Sequence, residues 1–201
     1  MRDSPADHSL RLDQVYSPCQ TEATPEGERV RAELGRRLSS SNALAWENPL
    51  HTHLGYRYDN SPICIADGPP PADPEDTRLY SQSSHPGGRA PHAWLERGGE
   101  RLSTIDLLGG RFVLLTGPQG QGWVDAAARA ASTARPELAA FCIGGGDIAD
   151  PDDAWLKAYE LEPGGAVLVR PDGYVAWRSR AGAEAPDQVL AAVFDRILGR
   201  V

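Results

Sequence analysis

Residues 111–123 read Arg111-Phe112-Val113-Leu114-Leu115-Thr116-Gly117-Pro118-Gln119-Gly120-Gln121-Gly122-Trp123. A short apolar run stops at Thr116 and gives way to a turn of glycine, proline and glutamine. Such a run, bounded by turn residues, reads as a buried strand over Arg111 to Thr116. The spacing beyond the turn predicts a helix from about Gly122 to Thr133. A strand that enters a helix through a tight turn is the unit from which the rest of the chain can be laid out.

Upstream, Ser103 to Leu108 reads as a short helical turn, with Ser103 and Asp106 spaced as a variant of the capping box. Downstream, a strand is expected at Leu138 to Ile143 and a helix at about Pro151 to Leu161. Two strands, Ala166 to Arg170 and Tyr174 to Arg178, are joined across Pro171-Asp172-Gly173, where Pro171 presets the turn and Gly173 relieves its exit. In the closing helix, Pro186 to Leu198, the residues Val189, Leu190, Val193, Phe194, Ile197 and Leu198 form one apolar stripe. Pro186 suits the first turn and Gly199 the end. The near-continuous apolar strands predict a sheet covered on both faces. The order βαβαββα is that of thioredoxin, so the expected class is α/β: a thioredoxin-like domain preceded by an α-helix and a Pro/Gly-rich linker.

A thioredoxin-type enzyme places its nucleophilic cysteine just after the first core strand, at a helix N-terminus that stabilises the thiolate. Here Gly117-Pro118-Gln119-Gly120 fills that position. The three cysteines, Cys19, Cys64 and Cys142, form no C-x-x-C pair, and Cys142 falls within a core strand as a small buried thiol. Disulfide exchange and peroxide reduction are disfavoured.

The 201 residues allow one good-sized domain and an appendage. The net charge of −8 is shared evenly by the two halves, so neither offers the basic face that nucleic acid or an anionic membrane requires. No apolar run approaches a membrane span, and MRDSPADHSLRLDQVY lacks a signal core. Scattered cysteines suit a reducing compartment, and the cytoplasm is the expected location.

The expected organisation is a disordered or poorly ordered N-terminus (1–23), a helical segment (24–59), an extended linker (60–100) and the thioredoxin-like domain (101–201). Thr24 can cap the helical segment, Pro25 suits its first turn, and Val30, Leu34, Leu38 and Leu44 give a partial apolar stripe. Ser39-Ser40-Ser41-Asn42 invites a break. The linker carries Pro69-Pro70-Pro71, Pro74, Pro86, Gly87 and Gly88.

Four ordered blocks are distinctive: Leu54-Gly55-Tyr56-Arg57-Tyr58-Asp59; Pro86-Gly87-Gly88-Arg89-Ala90-Pro91-His92-Ala93-Trp94-Leu95; Leu102-Ser103-Thr104-Ile105-Asp106-Leu107; and Val167 through Arg178, VLVRPDGYVAWR. Together they resemble the C-terminal third of the flavin-dependent phenol hydroxylases, the group of 2,4-dichlorophenol 6-monooxygenase and the polyketide aromatic hydroxylases. The resemblance covers roughly residues 24 to 198. It implies FAD- and NAD(P)H-dependent aromatic hydroxylation by the whole enzyme, a thioredoxin-like domain without redox cysteines, and a helix before Gly55 that ends the flavoprotein body.

The chain departs from that family's pattern upstream of residue 103, where no strand leads into a G-x-G-x-x-G turn for the FAD pyrophosphate. Gly144-Gly145-Gly146 follows a strand, but Asp147, Asp150, Asp152 and Asp153 would repel a phosphate; they read as a solvated helix entry. No catalytic, cofactor-binding or metal residue is therefore assigned. His51, His53, Cys64 and His85 match no standard zinc spacing. The candidate interdomain contacts are Tyr56, Arg57, Tyr58, Arg89, Pro91 and His92. Against docking, Arg89 can pair with a carboxylate, His92 can pack on Trp94, and the two tyrosines with Arg57 can form plain packing with a surface ion pair.

Two functions follow. One is the C-terminal, structural or dimerising part of an aromatic monooxygenase, inactive alone, with a flavoprotein body in cis or in trans, or a second copy, as its partner. The other is a free-standing, non-redox thioredoxin-like interaction module, suggested by the initial Met1 and the missing flavin motif.

Overall fold

The strand expected from RFVLLT forms β3, Phe112–Thr116, and its alternating side chains divide the interior in two. Val113 and Leu115 point into one apolar cluster and Leu114 into the other, the period-two consequence of a pleated strand. The computed structural model describes residues 23–38, 50–76, 78–131 and 136–200. The chain divides into two units, residues 1–49 and 50–201.

In the first unit, α1 spans Pro25–Leu38. Thr24 Oγ1 accepts the Gly27 N–H at 3.1 Å, the cap expected from sequence. Arg29 pairs with Glu26 and Arg36 with Glu33, one turn apart. The expected N-terminal segment 1–23 lies almost wholly outside the described residues, as do the break at Ser39 to Asn42 and the contribution of Leu44.

The second unit opens with α2, Leu50–Leu54. After an irregular stretch come β1, Trp94–Arg97, and β2, Glu100–Ser103, then a 3₁₀ turn, Thr104–Leu107. Beyond β3 follow α3 (Gln121–Ala131), β4 (Leu138–Cys142), β5 (Ile148–Ala149), α4 (Ala154–Tyr159), β6 (Ala166–Val169), β7 (Val175–Ser179) and α5 (Pro186–Ile197). The main sheet runs β4-β3-β6-β7, with β3 and β4 parallel and the other pairs antiparallel. This order and polarity are those of thioredoxin. A smaller antiparallel sheet runs β2-β1-β5.

Helices α3 and α5 cover one face, where Trp123, Ala126, Leu190, Val193, Phe194 and Ile197 meet Leu114, Leu168 and Ala176. Each large side chain of the α5 stripe contributes about 2 kcal/mol of burial, without which a helix this short would be marginal in water. The other face is covered by α4 and the small sheet, through Trp155, Tyr159 and Leu95 against Val113, Leu115, Val167 and Val169. The capping box forms: Ser103 Oγ accepts the Ile105 N–H and Asp106 accepts the Ser103 N–H at 2.8 Å.

The structure differs from expectation most clearly in two places, besides the short strand β5 that stands where a solvated helix entry was expected. Helix α4 is shorter than Pro151 to Leu161, because Asp153 (φ 49°) and Glu160 (φ 53°) adopt left-handed backbone at its two ends. Asp150 instead presents its carboxylate to the N–H groups of Ala154 and Trp155, at 2.9 and 3.0 Å. The second difference lies in residues 60–100, read as an extended linker. Trp94–Arg97 and Glu100–Ser103 pair as a hairpin whose turn, Gly98-Gly99, has φ of 61° and 82°, the two-residue connection that matches strand twist.

The rest of that stretch is a strap along the edge of β7. Ile65 N–H donates to Ala176 at 2.7 Å, Gly87 and Val175 exchange bonds through Gly87 N–H to Val175 and Val175 N–H to Gly88, both 2.8 Å, and Ala90 N–H donates to Gly173 at 2.9 Å. An edge strand exposes unpaired backbone groups, and the strap satisfies them. Gly87, at φ 96°, is required there, since a Cβ would lie 2.9 Å from the Tyr58 carbonyl oxygen.

Candidate docking site

The place where this fold usually keeps its chemistry, the turn from β3 to α3, is closed by backbone. Thr116 Oγ1 donates to the Gly165 carbonyl at 2.8 Å, Gly117 N–H to the same oxygen at 3.1 Å, and Gln119 N–H to the Pro163 carbonyl at 2.9 Å. A Cβ on Gly117 would stand 2.4 Å from that Pro163 oxygen. Trp123 Nε1 donates to Gly164 at 3.1 Å, tying the helix to the same loop. The position of the absent nucleophile is thus tied by backbone to the loop 163–165.

Cys142 is half-buried, and its thiol donates to the Gly117 carbonyl at 3.3 Å. Burial pushes this thiol up, outweighing the Gly145 and Gly120 N–H groups that would favour a thiolate. Cys64 is buried against the Arg170 guanidinium, 3.5 Å away. Cys19 lies outside the described residues.

The turn after β4 does not fit the pyrophosphate of FAD. Gly144 N–H is already bonded to Ile148 at 2.8 Å, and the helix N-terminus beyond holds the Asp150 carboxylate where a phosphate would need to sit. Among the described residues no three His, Cys, Asp or Glu side chains gather as metal ligands. His51 faces Asp73 and His85 faces Asp67, at 3.3 and 3.5 Å.

The six residues singled out as interdomain contacts separate into an inner and an outer set. Pro91 and His92 are used internally. The Pro91 carbonyl accepts from Thr104 Oγ1 at 2.9 Å and from the buried Tyr159 hydroxyl at 2.8 Å. His92 Nδ1 lies 2.7 Å from Ser103 Oγ, and its ring stands edge-on to Trp94 with centroids 4.7 Å apart. Tyr58 is sandwiched between Tyr56 and Tyr174, edge-on to each at 5.3 and 4.9 Å, with the Arg170 guanidinium 4.7 Å from its ring centroid. Arg57 pairs with Asp73 at 2.9 Å and Asp59 at 3.4 Å; its guanidinium holds the Asp73 carboxyl below the usual range.

Tyr56 and Arg89 form the outer set. The Tyr56 ring is 59% exposed. Arg89 is exposed on the strap and has no carboxylate partner among the described residues. Both line a cleft of about 230 Å³, together with Arg57, Tyr80, His85 and Glu160. The structure therefore brings Tyr56, Arg57 and Arg89 to one concavity, puts Tyr58 behind it, and leaves Pro91 and His92 in the hairpin's packing.

A buried polar network beneath this cleft was not legible as a site. Arg178, with only 2% of its side chain exposed, donates to Asp67 at 2.6 Å and to Ser84 Oγ at 2.6 Å, and lies 3.4 Å from Glu160. Ser84 in turn donates to the Tyr159 carbonyl. Desolvation raises the Asp67 pKa, but Arg178 and Arg180 together outweigh it and hold the carboxyl below 3.8. For His85 burial is the largest influence, and it pushes the imidazole below 6.5 despite Asp67. The sequence signal was a charged residue following Ala176-Trp177 in a core strand, which demands a buried carboxylate from somewhere.

Comparison with known proteins matches residues 83–201 to the family described as aromatic-ring hydroxylase, C-terminal. A putative polyketide hydroxylase of Streptomyces coelicolor is 44% identical over 157 residues, 75% of this chain and 25% of that protein. Phenol 2-monooxygenase of a Pseudomonas species is 40% identical over 182 residues, 89% of this chain and 29% of that protein. Among solved structures, the flavin-dependent monooxygenase PieE, in complex with FAD and substrate, superposes with a TM-score of 0.71 at 42% identity, over 99% of this chain and 33% of its own. The aklavinone-11 hydroxylase complex with FAD and aklavinone gives 0.67 at 39%, over 75% of this chain and 27% of its own. The chain spans between a quarter and a third of these relatives' lengths, and it belongs to the aromatic-ring hydroxylases, as their C-terminal region.

Proposed function

We propose that this chain works as the C-terminal part of an FAD-dependent, NAD(P)H-using aromatic-ring monooxygenase, and that its contribution is interdomain packing or dimerisation. FAD and NAD(P)H are bound by a flavoprotein body, in cis or in trans, in the cytoplasm; the chain alone neither binds flavin nor hydroxylates. Membranes and nucleic acid play no part. The observation that carries this reading is a family match over a domain whose customary reaction turn carries no cysteine and is bonded to its own backbone.

The test is to replace the corresponding region of PieE with this chain and compare it with PieE lacking that region. FAD retention and NAD(P)H-dependent substrate turnover should be restored by the replacement, while the isolated chain leaves FAD fluorescence unchanged. A replacement that behaves like the truncation would sink the reading. The alternative, a free-standing non-redox interaction module, draws support from the two apolar clusters that residues 50–201 possess of their own. It predicts a partner other than a flavoprotein.

A further inference from the structure

We infer that the Tyr56–Arg89 cleft receives a carboxylate-bearing segment of the flavoprotein body, so that Arg89 is the charged anchor and Tyr56 the aromatic anchor of interdomain docking; this rests on the hydroxylase reading above. The first support is charge. Arg57 is taken by Asp73 and Asp59, Glu160 lies against Arg178 and Arg180, and the buried His85 faces Asp67, with burial disfavouring its charged form. The charge left unbalanced at the cleft is the Arg89 guanidinium, in a chain with 28 acidic side chains to 20 basic ones. A planar guanidinium matches a carboxylate with two parallel hydrogen bonds.

The second support is rigidity. Tyr174 braces both anchors from behind: its backbone bridges to Arg89, and its ring stands against Tyr58, which stands against Tyr56. Exposed tyrosine and arginine on a preorganised support are what interface anchors require, since little freedom remains to be lost on contact. The third support is length: roughly 70% of each relative lies outside the matched region, where this chain is the C-terminal part. The cleft's volume of about 230 Å³ has room for an inserted side chain or two and no more.

The experiment uses PieE carrying this chain in place of its own C-terminal region, followed by calorimetry and by timed proteolysis at the junction. The parent replacement should melt in one transition. Arg89→Glu should split that transition and speed junction cleavage about tenfold, because two like charges would face each other in a desolvated contact. Tyr56→Ala should give a smaller acceleration, and Arg89→Lys should recover part of the loss. In the isolated chain Arg89→Glu should melt like the parent. If it is destabilised there to the same degree, Arg89 serves the internal packing and the inference is overturned. If Arg89→Glu and Tyr56→Ala both leave the replacement unchanged, docking occurs elsewhere and only this inference falls. If the parent replacement melts as two independent parts, the hydroxylase reading falls with it.

Discussion

The turn at 116–121 and the strap at 61–90 are both rich in glycine and proline, and each crosses the rim of the same sheet on main-chain hydrogen bonds, yet only the strap adds a buried ion pair. The turn lies directly on the loop 163–165, fixed by main-chain hydrogen bonds and by an approach so close that no Cβ fits at Gly117. The strap shares main-chain bonds with β7, but it is also fixed by a charge: Arg178 reaches out of β7 to Asp67 and Ser84. Composition alone does not tell these apart. What differs is that the strand beside the strap carries an ionic side chain, Arg178, toward it, whereas the turn is bonded to the backbone of a loop.

The largest effect expected is on the strap. Arg178→Met should destabilise residues 50–201 by about 3 kcal/mol, because it leaves Asp67 partly buried with only its longer contacts to Arg180 and His85, and urea unfolding followed by tryptophan fluorescence will measure it. A variant of parental stability would mean that the strap is held by its backbone bonds alone, and the contrast would dissolve. Gly117→Ala should cost about 2 kcal/mol in the same assay, since the new Cβ must force apart two loops.

Acidification should act on the strap and spare the turn. His85 is held below 6.5 and Asp67 below 3.8, so in each case the unfolded chain takes up its proton first as pH falls. Stability at neutral pH should therefore decline first below 6.5 and again below 3.8. Thermal melts across that range should lose the first limb in His85→Gln and the second in Asp67→Asn. A profile that is flat in the parent would contradict the network. The smallest effect belongs to the exposed pair of Arg129 with Asp187, 2.7 Å apart, which links α3 to α5. Arg129→Ala should unfold within experimental error of the parent, because solvent screens such a pair.

The main sheet and its helices were legible because local signals and burial agreed. Pro171-Asp172-Gly173 makes the turn it announces, with Gly173 at φ 83° and bonded to Arg170 at 2.9 Å, and Gly199 closes α5 at φ 65°. The β1–β2 hairpin carried its signal too, in Gly98-Gly99 between Trp94-Leu95 and Leu102, but the surrounding prolines made the whole stretch read as extended chain. The strap could not be read locally at all. Its bonds join residues 75 positions apart, as Ser84 and Tyr159 are, and 111 apart, as Asp67 and Arg178 are, and no window of sequence contains either pair. For the candidate site, the aromatic and arginine residues were visible as a group, whereas their division into inner and outer sets depends on Tyr174, a residue of the following hairpin.

The Arg178–Asp67 pair also decides where the chain can be cut. The family match begins at residue 83, and a fragment started there would carry a guanidinium into its interior without its nearest carboxylate, Asp67, leaving only the longer contact to Glu160. It would lose Ile65 from the β7 edge as well, baring the Ala176 carbonyl to any passing strand. A boundary drawn by similarity would therefore yield a piece prone to self-association, and one drawn by charge, upstream of Asp67, would yield a domain.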